Sequence, residues 1–124
     1  MIVRATDLSP IESPGGNATA GIATPGRGAG QVSLIRQRQA PGGQNPLHRH
    51  DREEVMLVAA GRVSLTVGET SAELAAGDAA IIPAETLHQV RNSGDEPAEW
   101  LLIAPGGIRY FGADGQEMQP AWAK

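Results

Sequence analysis

Apolar and polar residues alternate along this chain over short runs, and the runs stop at glycine or proline. The clearest is Val63–Val67, where Val63, Leu65 and Val67 alternate with Ser64 and Thr66, the period of a half-buried strand. Gly68-Glu69 supplies a hairpin turn, and Thr70–Leu74 returns from it. Upstream, Gln31–Gln39 carries Val32, Leu34 and Ile35 and is broken by Pro41-Gly42-Gly43; Pro46–His50 and Glu54–Ala60 follow. Downstream, Ala79–Ile82 stops at Pro83 and His88–Asn92 closes on Ser93-Gly94-Asp95. Ala98–Ile103 stops at Pro105-Gly106-Gly107, and Ile108–Phe111 adds one more run. Met1–Arg4 and Ala20–Ala23 are short strand candidates in a lead-in rich in Pro, Gly, Ser and Thr. No segment keeps a helical period over three turns. The pattern predicts roughly eight or nine short strands with turn signals every eight to twelve residues, an all-β sandwich or barrel built from hairpins. In this reading residues 31–111 form the barrel and residues 1–30 an N-terminal extension with short strands. Residues 112–124 form a polar tail, whose Trp122 is expected outside the barrel as a lid or at a subunit contact.

Composition narrows the function. A chain of 124 residues fits one domain large enough to hold a core without staples. It has no cysteine, which removes disulfides, thiolate metal sites and cysteine nucleophiles together. A net charge of −4 with scattered Arg and Lys speaks against a nucleic-acid partner. The first residues lack the apolar core of a signal peptide, and no run approaches the length of a membrane helix. The expectation is a cytoplasmic protein with no membrane partner. Gly26-Arg27-Gly28-Ala29-Gly30 has the look of a phosphate loop, but no strand precedes it, no helix follows, and its lysine is missing; it is read as a turn.

The candidate chemistry lies in the histidines. There are three, and two of them form His48-Arg49-His50. On a strand these two side chains share a face, about 7 Å apart, and can converge on one ion. Glu54 has the same parity, but a straight strand would carry it roughly 13 Å past His50. Metal ligands lie within about 3–4 Å of each other. The chain must therefore turn at Asp51-Arg52-Glu53, with Glu54 opening the next strand. His88 is distant in sequence, and antiparallel pairing can return it to the other three. Three imidazoles and a carboxylate would then surround one divalent cation.

At these residues the chain resembles the cupins. Gly42-(x5)-His48-x-His50-(x3)-Glu54-(x6)-Gly61 matches the first cupin motif, and Gly77-(x5)-Pro83-x-Glu85-(x2)-His88-(x3)-Asn92 matches the second. The one departure is Glu85, where the family has glycine at a turn; it bears on the local backbone and not on the ligand set. The resemblance implies a double-stranded β-helix, or jelly-roll, barrel with His48, His50, Glu54 and His88 as metal ligands. Small single-domain cupins similar to quercetin dioxygenase are the nearest in character.

That resemblance implies a dioxygenase-like enzyme acting on a small oxygen-rich or aromatic substrate, with Glu54 as catalytic base. The cofactor is one divalent ion, Fe, Mn, Ni, Zn, Co or Cu, with Fe(II), Mn(II) or Ni(II) preferred. The alternatives are a metal-dependent lyase, isomerase or decarboxylase, and a cupin that binds a small ligand without turnover. An epimerase of the sugar type needs a histidine beyond the metal ligands, and none is left. An auxin-binding or seed-storage role finds no support in so short a chain. Met56 and Val58 share the parity of Glu54 and are expected as an apolar wall. Arg36 is read as a surface residue, Gln44 and Asn45 as turn residues, and Trp100 and Tyr110 as barrel packing. Val55 and Leu57, on the opposite face, are expected to line a homodimer contact.

Overall fold

The computed structural model describes all residues, 1–124. Its strands are β1 (Ile11–Ser13), β2 (Asn17–Ala23), β3 (Val32–Gln39), β4 (His48–His50), β5 (Glu54–Ala60) and β6 (Arg62–Val67). After them come β7 (Thr70–Ala75), β8 (Ala79–Ile82), β9 (His88–Arg91), β10 (Ala98–Pro105), β11 (Tyr110–Gly112) and β12 (Glu117–Met118). The only helical elements are three single 3₁₀ turns, at Ala5–Asp7, Pro25–Arg27 and Ala121–Ala123. No helix is long and apolar enough to cross a membrane.

The strands form two antiparallel six-stranded sheets, ordered β1-β2-β3-β10-β5-β8 and β12-β11-β4-β9-β6-β7. This is the expected all-β jelly-roll barrel. Inward residues of both sheets share one core: Met56, Val58, Ile82, Ala98 and Trp100 from the first, Val63, Leu65 and Val90 from the second. Burying a large side chain of this kind contributes about 1.5–3 kcal/mol. A smaller cluster of Ala104, Ile108 and Tyr110 closes one end, with Trp122 packed on it.

The alternating pattern places most strands within a residue or two of their expected limits. Val63–Val67 and Thr70–Leu74 form the β6–β7 hairpin, with Val67 and Thr70 paired beside the turn. Met1–Arg4 forms no strand: Met1 and Ile2 are 92% and 73% exposed and pair with no strand of either sheet. The Ala20–Ala23 candidate is part of the longer β2, which pairs with β3 from Asn17↔Gln39 to Ala23↔Leu34. Gly61 shows why the first motif needs glycine there. Its φ is +75°, and a Cβ would lie 2.6 Å from the Pro97 carbonyl oxygen, closer than atoms can approach. Glu85 adopts the conformation that glycine would, with φ +62°, so the motif's departure leaves the turn intact.

Candidate metal centre

Pairing of β4 with β9 sets His48 directly opposite His88. His50 shares the face of His48, two residues on along β4. The chain then leaves the second sheet through Asp51–Glu53 and enters the first sheet at Glu54, opposite Ile82. Asp51 holds this crossing: its carboxylate accepts from the Arg109 N–H at 2.8 Å, and its own N–H donates to the Arg109 carbonyl at 3.4 Å. The turn required by ligand geometry is therefore where the sequence places it.

The three imidazoles come together. One ligand-capable nitrogen from each of His48, His50 and His88 lies within 4.8 Å of the other two. The ring centroids are 5.0 Å apart for His48–His50, 4.2 Å for His48–His88 and 5.0 Å for His50–His88. Glu54 reaches two of the three, with Oε2 3.5 Å from His50 Nε2 and Oε1 4.0 Å from His88 Nε2. Glu54, His50 and His88 are each 2% exposed.

The hydrogen bonds suit a cation. His48 Nδ1 faces the Pro46 carbonyl at 2.7 Å and His88 Nδ1 faces the Thr86 carbonyl at 2.9 Å. A carbonyl accepts only, so each Nδ1 carries the proton and each Nε2 presents a lone pair to the cavity. His88 Nε2 and both nitrogens of His50 are buried with no hydrogen-bond partner, although the Arg109 backbone lies near the His50 ring. Buried polar atoms of this kind are seldom left unpaired, and one metal ion would satisfy His88 Nε2 and one of the two His50 nitrogens.

Burial sets the protonation states. Desolvation, then the charge of His88, lowers His48 to about 4. Desolvation, then His48 and His88, lowers His50 to about 3. Desolvation lowers His88 as well. All three are neutral near pH 7, the form that binds metal. Desolvation pushes Glu54 up to about 8, so without a cation beside it the carboxyl tends to hold its proton.

The site opens into a cavity of about 340 Å3, within the usual range for small-molecule sites. Met56, Ile82, Val90, Trp100, Leu102 and Tyr110 give it a largely apolar wall, and no Arg or Lys lines it. Met56 thus stands where its parity with Glu54 puts it, and Val58 lies in the core behind. Tyr110 meets His50 edge-on at 4.7 Å. Trp122 stacks edge-on against Tyr110 at 5.3 Å and borders the cavity with Met118 and Pro120, so the tail contributes one part of its wall. Arg36 is on the outer face beside Glu99, at 3.5 Å. Asn45 is more than a turn residue: its side-chain oxygen accepts from the Val90 N–H at 2.8 Å and so fixes β9 behind His88. Asn92, the last motif position, donates to the carbonyls of Gln39 and Glu96 and ties the following turn to β3. Asn17, Thr19 and Gln37 also line the cavity, and sequence reasoning misses them. The signal that could have found Gln37 is parity: Gln37 and Gln39 share the inward face of Ile35.

Residues 35–104 match the cupin domain family model. The chain belongs to the cupin family. Auxin-binding protein 1 of Arabidopsis thaliana is 34% identical to this cupin along an alignment 85 residues long, which covers 61% of this chain and 43% of the relative. Germin-like protein 3-8 of Oryza sativa subsp. japonica is 32% identical along a gapped alignment 126 positions long, which covers 89% of this chain and 56% of the relative. The chain thus spans about half the length of the curated relatives it matches. Among solved structures, oxalate decarboxylase of Lactobacillus farciminis, in a formate complex, superposes with a TM-score of 0.78 at 26% identity. That match covers 88% of this cupin and 34% of the decarboxylase chain.

Proposed function

We propose that this cupin is a metal-dependent oxidoreductase of the dioxygenase type, acting on a small, neutral, oxygen-bearing aromatic substrate. His48, His50, His88 and Glu54 hold one divalent ion, which as bound metal supplies Lewis acidity and, if redox-active, oxygen activation. The observation that carries the reading is the cavity: roomy, apolar, and charged only at Glu54. Such a lining suits an aromatic body and offers a phosphate or a dicarboxylate no side-chain cation. Glu54 is the base. Its carboxylate stands at the boundary between the histidines and the apolar wall, placed to take a proton from a substrate hydroxyl.

The test is turnover of 3-hydroxyflavone by metal-loaded protein under isotopically labelled dioxygen. Both labelled atoms are expected in the product. Turnover without oxygen would replace this reading with the lyase, isomerase or decarboxylase class, which the oxalate decarboxylase likeness favours. Saturable binding with no product would favour a ligand-binding cupin, the class that the name of auxin-binding protein 1 suggests.

We infer further that the cupin is a homodimer. Leu34, Ile103, Val55 and Ile81 stand in register across β3, β10, β5 and β8 on the outer face of the first sheet. Ile81 and Ile103 are 70% and 37% exposed. An aliphatic row this long, continued by Leu57 and Leu101, suits a two-fold contact in which the same strip meets itself. Wild type is expected to sediment as a dimer at micromolar concentration and Ile81→Asp as a monomer. A wild type that sediments only as monomer sinks the inference.

A further inference from the structure

The sheet that faces the histidines presents a set of side-chain amides whose orientations are fixed. Asn17 is 3% exposed. Its Nδ2 donates to the carbonyls of Pro14 at 2.8 Å and Gln44 at 3.0 Å. Two carbonyl oxygens on that side decide which end of the amide is nitrogen, because a flipped amide would set oxygen against oxygen. Oδ1 therefore faces β3, where it accepts from Gln37 Nε2 at 3.0 Å and Gln39 Nε2 at 2.9 Å. Both glutamines are thereby oriented, nitrogen toward Asn17 and oxygen away.

The two glutamines then differ. Gln39 spans the barrel to donate to the Val90 carbonyl at 3.3 Å, two residues along β9 from His88. It does not border the cavity. Gln37 does, at 7% exposed, flanked in register by Thr19 on β2 and Trp100 on β10. With its nitrogen held by Asn17, its Oε1 accepts no hydrogen bond from any protein group. Unlike Gln39 Oε1, which is sealed inside the protein without a partner, this oxygen opens onto the cavity, and a free acceptor on a ligand-cavity wall has its natural partner in the ligand.

We propose that Gln37 is the specificity-determining residue for the part of the substrate remote from the metal, its fixed carbonyl oxygen selecting ligands that carry a hydroxyl there. This rests on the reading of the site as one for neutral, metal-chelating aromatics. A hydroxyl donates to Oε1 and can also accept from the second hydrogen on Nε2. An ether or a carboxylate only accepts and sets oxygen against oxygen. The ligand class is an aromatic hydroxyketone with a second, free phenolic hydroxyl, held between the histidines and Gln37 with its rings on the apolar wall.

The test is calorimetric binding, without oxygen, to metal-loaded protein. The probes are 3-hydroxyflavone, its singly ring-hydroxylated derivatives, and the methyl ether of each. Gln37→Met keeps length and bulk, and Asn17 Oδ1 keeps Gln39 as a donor. Wild type is expected to bind one hydroxylated probe about tenfold more tightly than its methyl ether. Gln37→Met should lose that preference and bind unsubstituted 3-hydroxyflavone as wild type does. A wild type with no preference at any ring position overturns the inference, as does a preference that survives in the variant. Loss of the unsubstituted probe in the variant also overturns it, because it marks a structural role. If wild type fails to bind the unsubstituted probe, the aromatic-chelate reading falls and takes this inference with it.

Discussion

Replacing His48 and His50 together with alanine abolishes metal retention and leaves the barrel folded. Wild-type protein, purified without chelators, is expected to carry roughly one divalent ion per chain, because buried neutral imidazoles with unpaired nitrogens are competent ligands as they stand. The double variant keeps only His88 and Glu54. Its metal content should fall at least about tenfold for each ligand removed. The fold should survive because neither histidine belongs to the apolar core. β4 is held mainly by its backbone, against β11 from Tyr110↔His50 to Gly112↔His48. Neither nitrogen of His50 has a hydrogen-bond partner within the protein, and both are buried. Removing such groups relieves a penalty of about 1–3 kcal/mol each, which offsets the packing that the rings supplied. Circular dichroism should therefore be unchanged while elemental analysis changes sharply. Metal content that stays at the wild-type level would remove the histidines from the site.

How much of the molecule is legible in its sequence depends on what each inference needs. The His-x-His pair needs only strand parity, and the turn at Asp51–Glu53 only the reach of a ligand, so both are readable. The return of His88 needs antiparallel pairing in general, and the structure realises it in the most direct form, His48 opposite His88. Gln37 and Asn17 need the register of β2 on β3. The sequence Asn17–Ala23, rich in Ala and Gly, has little strand propensity of its own. The local pattern reaches only Ala20–Ala23; the first half of the strand, with Asn17 and Thr19, exists because β3 offers a long edge, a tertiary effect. Asn45 reads as a turn residue because its neighbours are Gln44 and Pro46; its bond to β9 is long-range. Glu85 stands out by its departure from the motif, and the structure locates the consequence. It takes a left-handed backbone that for most non-glycine residues is unfavourable by about 1–2 kcal/mol. In that position its N–H donates to the His50 carbonyl at 2.7 Å and its carboxylate pairs with Arg49. The turn before His88 is thus fastened to the strand of His48 and His50, by a residue whose type alone argues against the conformation.

Stripped of metal, the protein is most stable near pH 6.5 and loses stability in both directions. Desolvation raises Glu54 from the ordinary 4.5 to about 8. Between those values the folded protein holds a proton that the unfolded chain has released, so stability falls as pH rises. From pH 6.5 to 8 the carboxyl alone accounts for roughly 1–2 kcal/mol, at about 1.36 kcal/mol per unit for one group and less as its own folded value is approached. The histidines act with the opposite sign. Their folded values lie below the ordinary 6.5, at about 4 for His48 and about 3 for His50, with His88 also lowered. As pH falls below 6.5 the unfolded chain takes up protons that the folded site refuses, and stability is lost. In the range where both effects run, three imidazoles outweigh one carboxyl, so the acid limb is the steeper. Thermal melts of metal-free protein across this range should trace the two limbs. Glu54→Gln should flatten the alkaline limb alone, since glutamine carries no proton to lose. A bound divalent ion should flatten it too, because the cation stabilises the carboxylate and draws its folded value down. An alkaline limb that persists in Glu54→Gln would show that the carboxyl is not its source, and one that persists in wild type with the divalent ion bound would detach Glu54 from that cation.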